Sequence, residues 1–296
     1  MRSPPASADV GSPLLPFGAL LGGALAMAVS PIFVRLAEVG PLTSAFWRVF
    51  LALPLLWGWM RASERKAAPA APARAFAPAT LLAAACFTGD LLCWHLSLVR
   101  TTVANATFFA TMAPLWVVVF GFLLFRHRVS RAVLLGLALC VLGGLGLVAQ
   151  SLKAGAGHLV GDSFGIATGV FFGLYFMAVS AARREAGAAR VTFELSVLTA
   201  AALFIAALAT ERAFLPPTPA GWAALLGMAW ISHAGGQGLL SVALGRLPTV
   251  FSSLVIFLEA IVAALLAWLI LGEAVTPLQG FGASAIVAGI WIARPR

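Results

Sequence analysis

Apolar residues run along this chain in long blocks, broken at short intervals by Gly, Pro and clusters of basic residues. Ala132 to Val148 holds nothing but aliphatic residues, one Cys and Gly over 17 positions. A window of about 19 residues predicts ten helices, at 14–36, 42–60, 76–98, 104–125, 131–150, 162–182, 191–209, 220–244, 248–271 and 276–293. Lipid cannot satisfy free backbone N–H and C=O groups, so each block must be a helix or a strand of a closed barrel. Barrel strands alternate apolar and polar residues over about ten positions. These blocks do not alternate, so they predict an all-α membrane protein. Met1 to Pro13, rich in Ser, Pro and Ala, lacks the charged-then-apolar order of a secretory signal and reads as a disordered tail.

Composition agrees with that pattern. Of 296 residues, 61% are apolar and 10% charged, and the mean hydropathy is +1.01; soluble chains carry about a quarter charged residues. The net charge of +9 would suggest nucleic acid in a soluble protein. Here it reports orientation. Ten spans put both termini on one face, and that face holds 14 of the 19 basic residues, including Arg61, Arg65, Lys66, Arg126, Arg128, Arg183, Arg184 and Arg246. The other face holds Arg35, Arg100, Lys153 and Arg212, with Arg48 inside a span. The positive-inside rule then places both termini in the cytoplasm, and no nucleic-acid partner is expected. Cys86, Cys93 and Cys140 all lie inside apolar blocks, which argues against a disulfide framework and offers no metal-ligand spacing.

Shifting the chain by 146 residues lays Gly89 on Gly235, Leu98 on Leu244, Arg100 on Arg246, Val129 on Val275, Ser130 on Thr276, Gly136 on Gly282 and Gly143 on Gly289. The predicted organisation is a five-helix repeat over 14–150, a linker over 151–161 and a second repeat over 162–296. Five spans is an odd number, so the second copy enters the membrane from the opposite side. Two inverted repeats are a plan of many secondary transporters, with substrate bound near the midplane between the halves.

Phe46-Trp47-Arg48 early in the second span, the run Leu-Gly-Glu-x-x-Thr-Pro-x-Gln-x-x-Gly at Leu271 to Gly282, and the two five-helix halves together resemble the drug/metabolite transporter superfamily in its two-repeat EamA-type form. The first half departs from that pattern, with Arg126-His127-Arg128 where Gly-Glu is common, and Ala260 replaces the Pro kept by its mate Pro114. Within the superfamily the chain is similar to the YddG-like aromatic amino-acid exporters. The resemblance implies export of amino acids or related metabolites across a bacterial inner membrane.

Ionisable groups inside spans cost about 2.5–3.5 kcal/mol each near the centre even on the lenient insertion scale, so they mark candidate sites. Asp90 lies about 14 residues into the third span, roughly 21 Å deep, and Glu259 lies near the middle of the ninth. Either can line a cavity and couple transport to protons, or pair structurally. Arg48 can grip a substrate carboxylate bidentately or pair with one of those acids. Trp94 shares a helix face with Asp90. His233 and Gln237, four residues apart, form a polar stripe that suits a wet cavity or an interhelical contact. Tyr175, the only tyrosine, is placed at mid-depth, where its hydroxyl needs a partner. Asn105 and Ser253 are further pocket candidates, with Thr107, Thr111 and Ser252. Trp47, Trp116 and Trp230 suit either an aromatic pocket or the lipid boundary, His95 an interfacial position, and Glu194 cytoplasmic water.

No Walker-type run or His-Glu-x-x-His occurs, so no catalytic residue, cofactor or metal is expected. The reading is a secondary transporter of a small organic solute that alternates access around a central cavity. Its partners are that solute and the bilayer, and the oligomeric state is open. An intramembrane or lipid-modifying enzyme is the alternative, and a channel is disfavoured by the lack of charged rings.

Overall fold

A computed structural model describes residues 14–66, 74–101, 103–148, 159–271 and 276–295. The tail at 1–13, most of the predicted linker and the Gly272-Glu273 pair lie outside the described residues. The described residues are helical, with no strand among them. The first half comprises α1 (Leu14–Ala28), α2 (Ser30–Leu36), α3 (Pro41–Phe50), α4 (Leu53–Lys66), α5 (Pro78–Leu98), α6 (Val103–Ala110), α7 (Ala113–Phe125) and α8 (Arg131–Val148). The second comprises α9 (Leu159–Glu185), α10 (Ala188–Thr210), α11 (Pro219–Gly227), a π-helical segment (Met228–Gln237), α12 (Gly238–Leu244), α13 (Thr249–Val255), α14 (Phe257–Leu271) and α15 (Pro277–Ala293).

Proline opens α2, α3, α5, α7, α11 and α15 within their first two positions, where its fixed φ suits a helix and its missing N–H costs nothing. The Thr-Pro-x-Gln part of the resemblance is a capping box. The Thr276 hydroxyl accepts from the Gln279 amide at 3.3 Å, and the Thr276 amide donates to Gln279 Oε1 at 2.9 Å.

Seven helical runs among the described residues are long and apolar enough to cross a membrane: Leu14–Leu36, Pro41–Lys66, Pro78–Leu98, Asn105–Phe125, Leu159–Glu185, Ala188–Thr210 and Thr249–Leu266. Arg131–Gly146 and Pro277–Ala293 are shorter apolar helices. The predicted eighth span, 220–244, is divided among α11, the π-helical segment and α12. Leu123, Ile205, Leu269 and Phe281 are more than 60% exposed, an outer surface suited to lipid rather than water.

The packing follows the repeat. A Cβ on Gly136 would stand 2.5 Å from the Gly289 carbonyl oxygen, and one on Gly143 would stand 2.5 Å from that of Gly282. Gly136 and Gly282 are repeat mates, as are Gly143 and Gly289. Exchanging mates therefore turns one contact into the other, as a local two-fold axis between antiparallel helices α8 and α15 requires. Close to that axis, the Cys140 thiol lies 3.6 Å from the carbonyl of its own mate, Ile286. The small-residue faces of these two helices thus pack within the chain.

A second pair of mates, α3 and α10, also packs antiparallel. Leu42 and Thr43 meet Glu211 at one end, and Phe46 meets Phe204 further along, ring centroids 5.2 Å apart. Helix α5 packs along α9, where the Ser97 hydroxyl donates to the Gly161 carbonyl and Gly89 approaches Phe171. The corresponding elements of the other half also pack, with Gly23 of α1 against Gly236 of the π-helical segment, at positions other than the mates of Gly89 and Phe171. Tyr175, Phe87, Phe176 and Phe257 are fully buried among these elements.

Candidate functional site

The site begins with how α3 is started. Glu211, at the end of α10, accepts hydrogen bonds from the Leu42 and Thr43 amides at 2.8 and 2.9 Å. The carboxylate thus satisfies two of the free N–H groups of the first turn and complements the positive helix end. Gly40 permits this, because a Cβ there would collide with the Glu211 carboxylate. Held in this way, α3 carries Ser44 and, one turn later, Arg48 into the interior, both buried.

Arg48 is 4% exposed and stands with its guanidinium carbon 5.3 Å from the centre of the Trp94 ring on α5, within the range of a cation–π contact. Asp90, one turn before Trp94 on α5, is 6% exposed. Glu259 enters from α14. Both acids lie within the electrostatic reach of Arg48, as do Tyr175, His95 and His233. Neither acid forms an ion pair with Arg48 within 4.0 Å. The Arg48 Nε and Glu259 Oε1 atoms are buried without a hydrogen-bond partner among the described residues. Buried polar atoms are nearly always satisfied, so these two, brought in by α3 and α14, are exceptions among the described residues.

Two serine–histidine contacts flank this centre. The Ser44 hydroxyl donates to the Pro41 carbonyl at 2.9 Å and lies 2.9 Å from His95 Nδ1. A hydroxyl has one proton, so the ring nitrogen supplies the hydrogen of the second bond, which makes neutral His95 the Nδ1–H tautomer. Its Nε2 is then a bare acceptor, and it is buried without a partner. On the other side, Ser196 of α10 lies 2.9 Å from His233 Nε2, and the Nδ1 of that ring has no partner among the described residues. The Ser196–His233 spacing is that of a nucleophile and base, but a third group orienting the other ring nitrogen, as such chemistry uses, is lacking among the described residues.

Below the charged groups lies an aromatic floor. His233 stacks on Phe87 at 5.5 Å, and Phe87 on Tyr175 at 4.8 Å. The Tyr175 hydroxyl donates to Gln237 Oε1 at 3.0 Å, which gives the mid-depth tyrosine its required partner. His233 and Gln237 occupy the π-helical segment. Such wide turns occur often at functional sites.

The structure therefore gathers Arg48, Asp90, Glu259, Trp94, Tyr175, His233 and Gln237. Two other candidates make their bonds elsewhere. Asn105 donates to Thr101 Oγ1 and Asp162 Oδ1 at the junction of α6 and α9. Ser253 donates to the Val250 carbonyl of its own helix.

His95 is fully buried rather than interfacial, because Ser44 and Trp94 enclose it. Glu194 is also buried, holding Arg190 Nε at 2.8 Å and the Phe76 amide at 2.9 Å. Trp230 is half exposed and bonded to the Leu51 carbonyl at the outer surface, and Trp47 donates to the Phe214 carbonyl. Sequence reasoning missed Ser44, Ser196 and Phe87. The hydroxyls were visible as polar positions inside spans, but their histidine partners are 51 and 37 residues away.

A model described as the EamA-like transporter family matches residues 16–149 and, a second time, residues 159–294. A solved structure described only as "Crystal structure of protein" is similar with a TM-score of 0.73 at 19% sequence identity, covering 95% of each chain. At that identity the likeness speaks to the fold. No curated protein matches the chain.

Proposed function

The chain belongs to the EamA-like transporter family, and from that membership we propose a secondary transporter that exports small organic solutes, amino acids or related metabolites. In this reading it has ten membrane-spanning helices in two inverted five-helix halves, 14–150 and 162–296, joined by a linker. Both termini face the cytoplasm of a bacterial cell. The halves rock against each other to open a central site alternately to the two sides.

The observation that carries this reading is the convergence of Arg48, Asp90 and Glu259 without ion pairs. A substrate with both a carboxylate and an ammonium group matches that arrangement. Arg48 offers two parallel N–H donors to the carboxylate, the acids receive the ammonium, and Trp94 and Phe87 supply apolar faces. Two acids against one arginine leave one negative charge to be balanced in apolar surroundings. A proton or the substrate cation can balance it, which supports coupling of export to proton movement.

The test is flux of labelled amino acids into and out of vesicles holding the purified protein, with and without a pH gradient. The expected result is gradient-stimulated flux that disappears in the Asp90→Asn/Glu259→Gln double variant. In Arg48→Gln, carboxylate-bearing substrates should weaken about tenfold or more, the worth of a charge-assisted hydrogen bond. Unchanged, gradient-responsive flux in the double variant would overturn the coupling role.

A further inference from the structure

A polar cleft lies away from the central cluster, where α9 and α12 end. It has a volume of about 250 Å³ and is lined by Ser180, Arg183, Arg184, Gly245 and Arg246, with the apolar Leu244 and Leu247. Arg183 has a structural task. Its Nε donates to the Ser241 carbonyl at 2.8 Å, and its Nη1 donates to the Ala186 carbonyl, so it closes the ends of both helices, where basic groups favour the negative dipole end.

Arg184 and Arg246 have no such task. Both are exposed, and neither side chain has a hydrogen bond or an ion pair among the described residues. Arg246 lies close enough to Arg183 to repel it. Three like charges share one cleft with no described carboxylate within 4.0 Å to offset them.

Ser180 adds a neutral donor. It accepts from Thr249 Oγ1 at 2.8 Å, and no acceptor among the described residues takes its own hydroxyl proton. The cleft therefore presents two arginine forks and a hydroxyl donor, with little acceptor character to match them.

From this geometry we infer that the cleft binds a phosphate monoester or diester group, and that the headgroup of an anionic glycerophospholipid is its natural source. Phosphate accepts bidentate arginine bonds, and basic pockets between helices at the cytoplasmic surface suit anionic headgroups. The volume equals roughly eight waters, so the cleft has room for a phosphate and the glycerol beside it. The apolar lining residues Leu244 and Leu247 would lie against the start of an acyl chain.

Thermal melting of the purified full-length protein in neutral detergent tests this, with short-chain phosphatidylglycerol, short-chain phosphatidylcholine or inorganic phosphate added. Phosphatidylglycerol should raise the Tm and phosphatidylcholine should not. The Arg184→Gln/Arg246→Gln variant should bind phosphatidylglycerol roughly thirtyfold more weakly, the loss of two surface arginine contacts. Arg128→Gln/Arg131→Gln, which removes two charges from the same face outside the cleft, should keep the full response. A rise with inorganic phosphate but none with phosphatidylglycerol would retain the site and overturn the lipid as its source. Equal loss in both double variants, or no loss in the cleft variant, would overturn the site itself. None of these readouts involves transport, so the outcome is independent of the function proposed for the central cluster.

Discussion

Arg48 shows how one residue sets the character of the site. A guanidinium in the interior needs several donors satisfied, yet its described surroundings supply a ring face, two histidines and two acids at more than ion-pair distance. An ion pair would have lowered the cost of burial; if the cluster receives a substrate as proposed, the separated charges are the groups that would meet it. Tyr175 and Gln237 do the opposite, satisfying one another and stiffening the floor.

The same kind of reasoning applies to Arg126, which ends α7 with φ of 56°, in the left-handed region. Its repeat mate is Gly272, the residue type that occupies this conformation without a Cβ penalty of about 1–2 kcal/mol. Replacing Arg126 with Gly is expected to raise stability by about 1 kcal/mol after the extra chain entropy of glycine is allowed for. Reversible denaturant melts of the purified variant measure it, and a lower midpoint would show that the side chain contributes more than its backbone strain costs.

At the level of helices, the glycine pairs of α8 and α15 make a sharper demand. A methyl group on Gly143 would press on the backbones of Gly282 and Ile286, contacts that no side-chain rotation relieves. Gly143→Ala should therefore destabilise by roughly 1–3 kcal/mol, the usual range for overpacking. Gly58→Ala, in α4 with nothing within 4 Å of the new methyl, should stabilise by about 0.5–1 kcal/mol through helix propensity. Thermal melts of the two variants in the same detergent compare them, and equal shifts would remove the close-packed interface as the cause.

The glycine-rich packing face of α8 and its mates on α15 were readable from the amino-acid order, but which glycines meet, Gly136 with Gly289 and Gly143 with Gly282, was not. The start of α15 was equally readable in Thr276-Pro277-Leu278-Gln279. The π-helical segment was not. His233 and Gln237 have ordinary α-helical spacing, and the wide turn that carries them packs against α1 and α10, contacts that the local sequence does not specify. Ser44 with His95 failed to emerge for the same reason, since nothing local to either residue specifies a partner on another helix. The acids were found because their scarcity in apolar blocks is a sequence property, whereas the absence of an ion pair between them and Arg48 is a property of three-dimensional placement.

For the molecule as a whole, the repeat register and the charge distribution constrain each other. The local two-fold between α8 and α15 relates antiparallel helices, and so does the contact of α3 with α10. If one axis relates the halves throughout, it lies in the membrane plane and sends corresponding loops to opposite faces. The loop Arg126-His127-Arg128 and its mate Gly272-Glu273-Ala274 then differ in charge because they face different compartments. The buried site breaks this symmetry. Within the register that holds across spans three to five and eight to ten, Asp90 corresponds to Gly236 and Glu259 to Ala113, so neither acid has an acidic mate.

That combination predicts the sidedness of the chain in a single experiment. In intact cells, a membrane-impermeant maleimide should label a cysteine placed at the exposed Leu215 and spare one placed at the exposed Glu185, which should label only after permeabilisation. The native cysteines Cys86 and Cys140 are buried and Cys93 is half-buried, so unsubstituted protein provides the background. The reverse pattern would put the basic loops outside, against the charge bias of 14 to 4. Labelling of both sites in intact cells would show that α10 does not cross the membrane, because Glu185 and Leu215 are separated by the single helix α10 and its flanking turns.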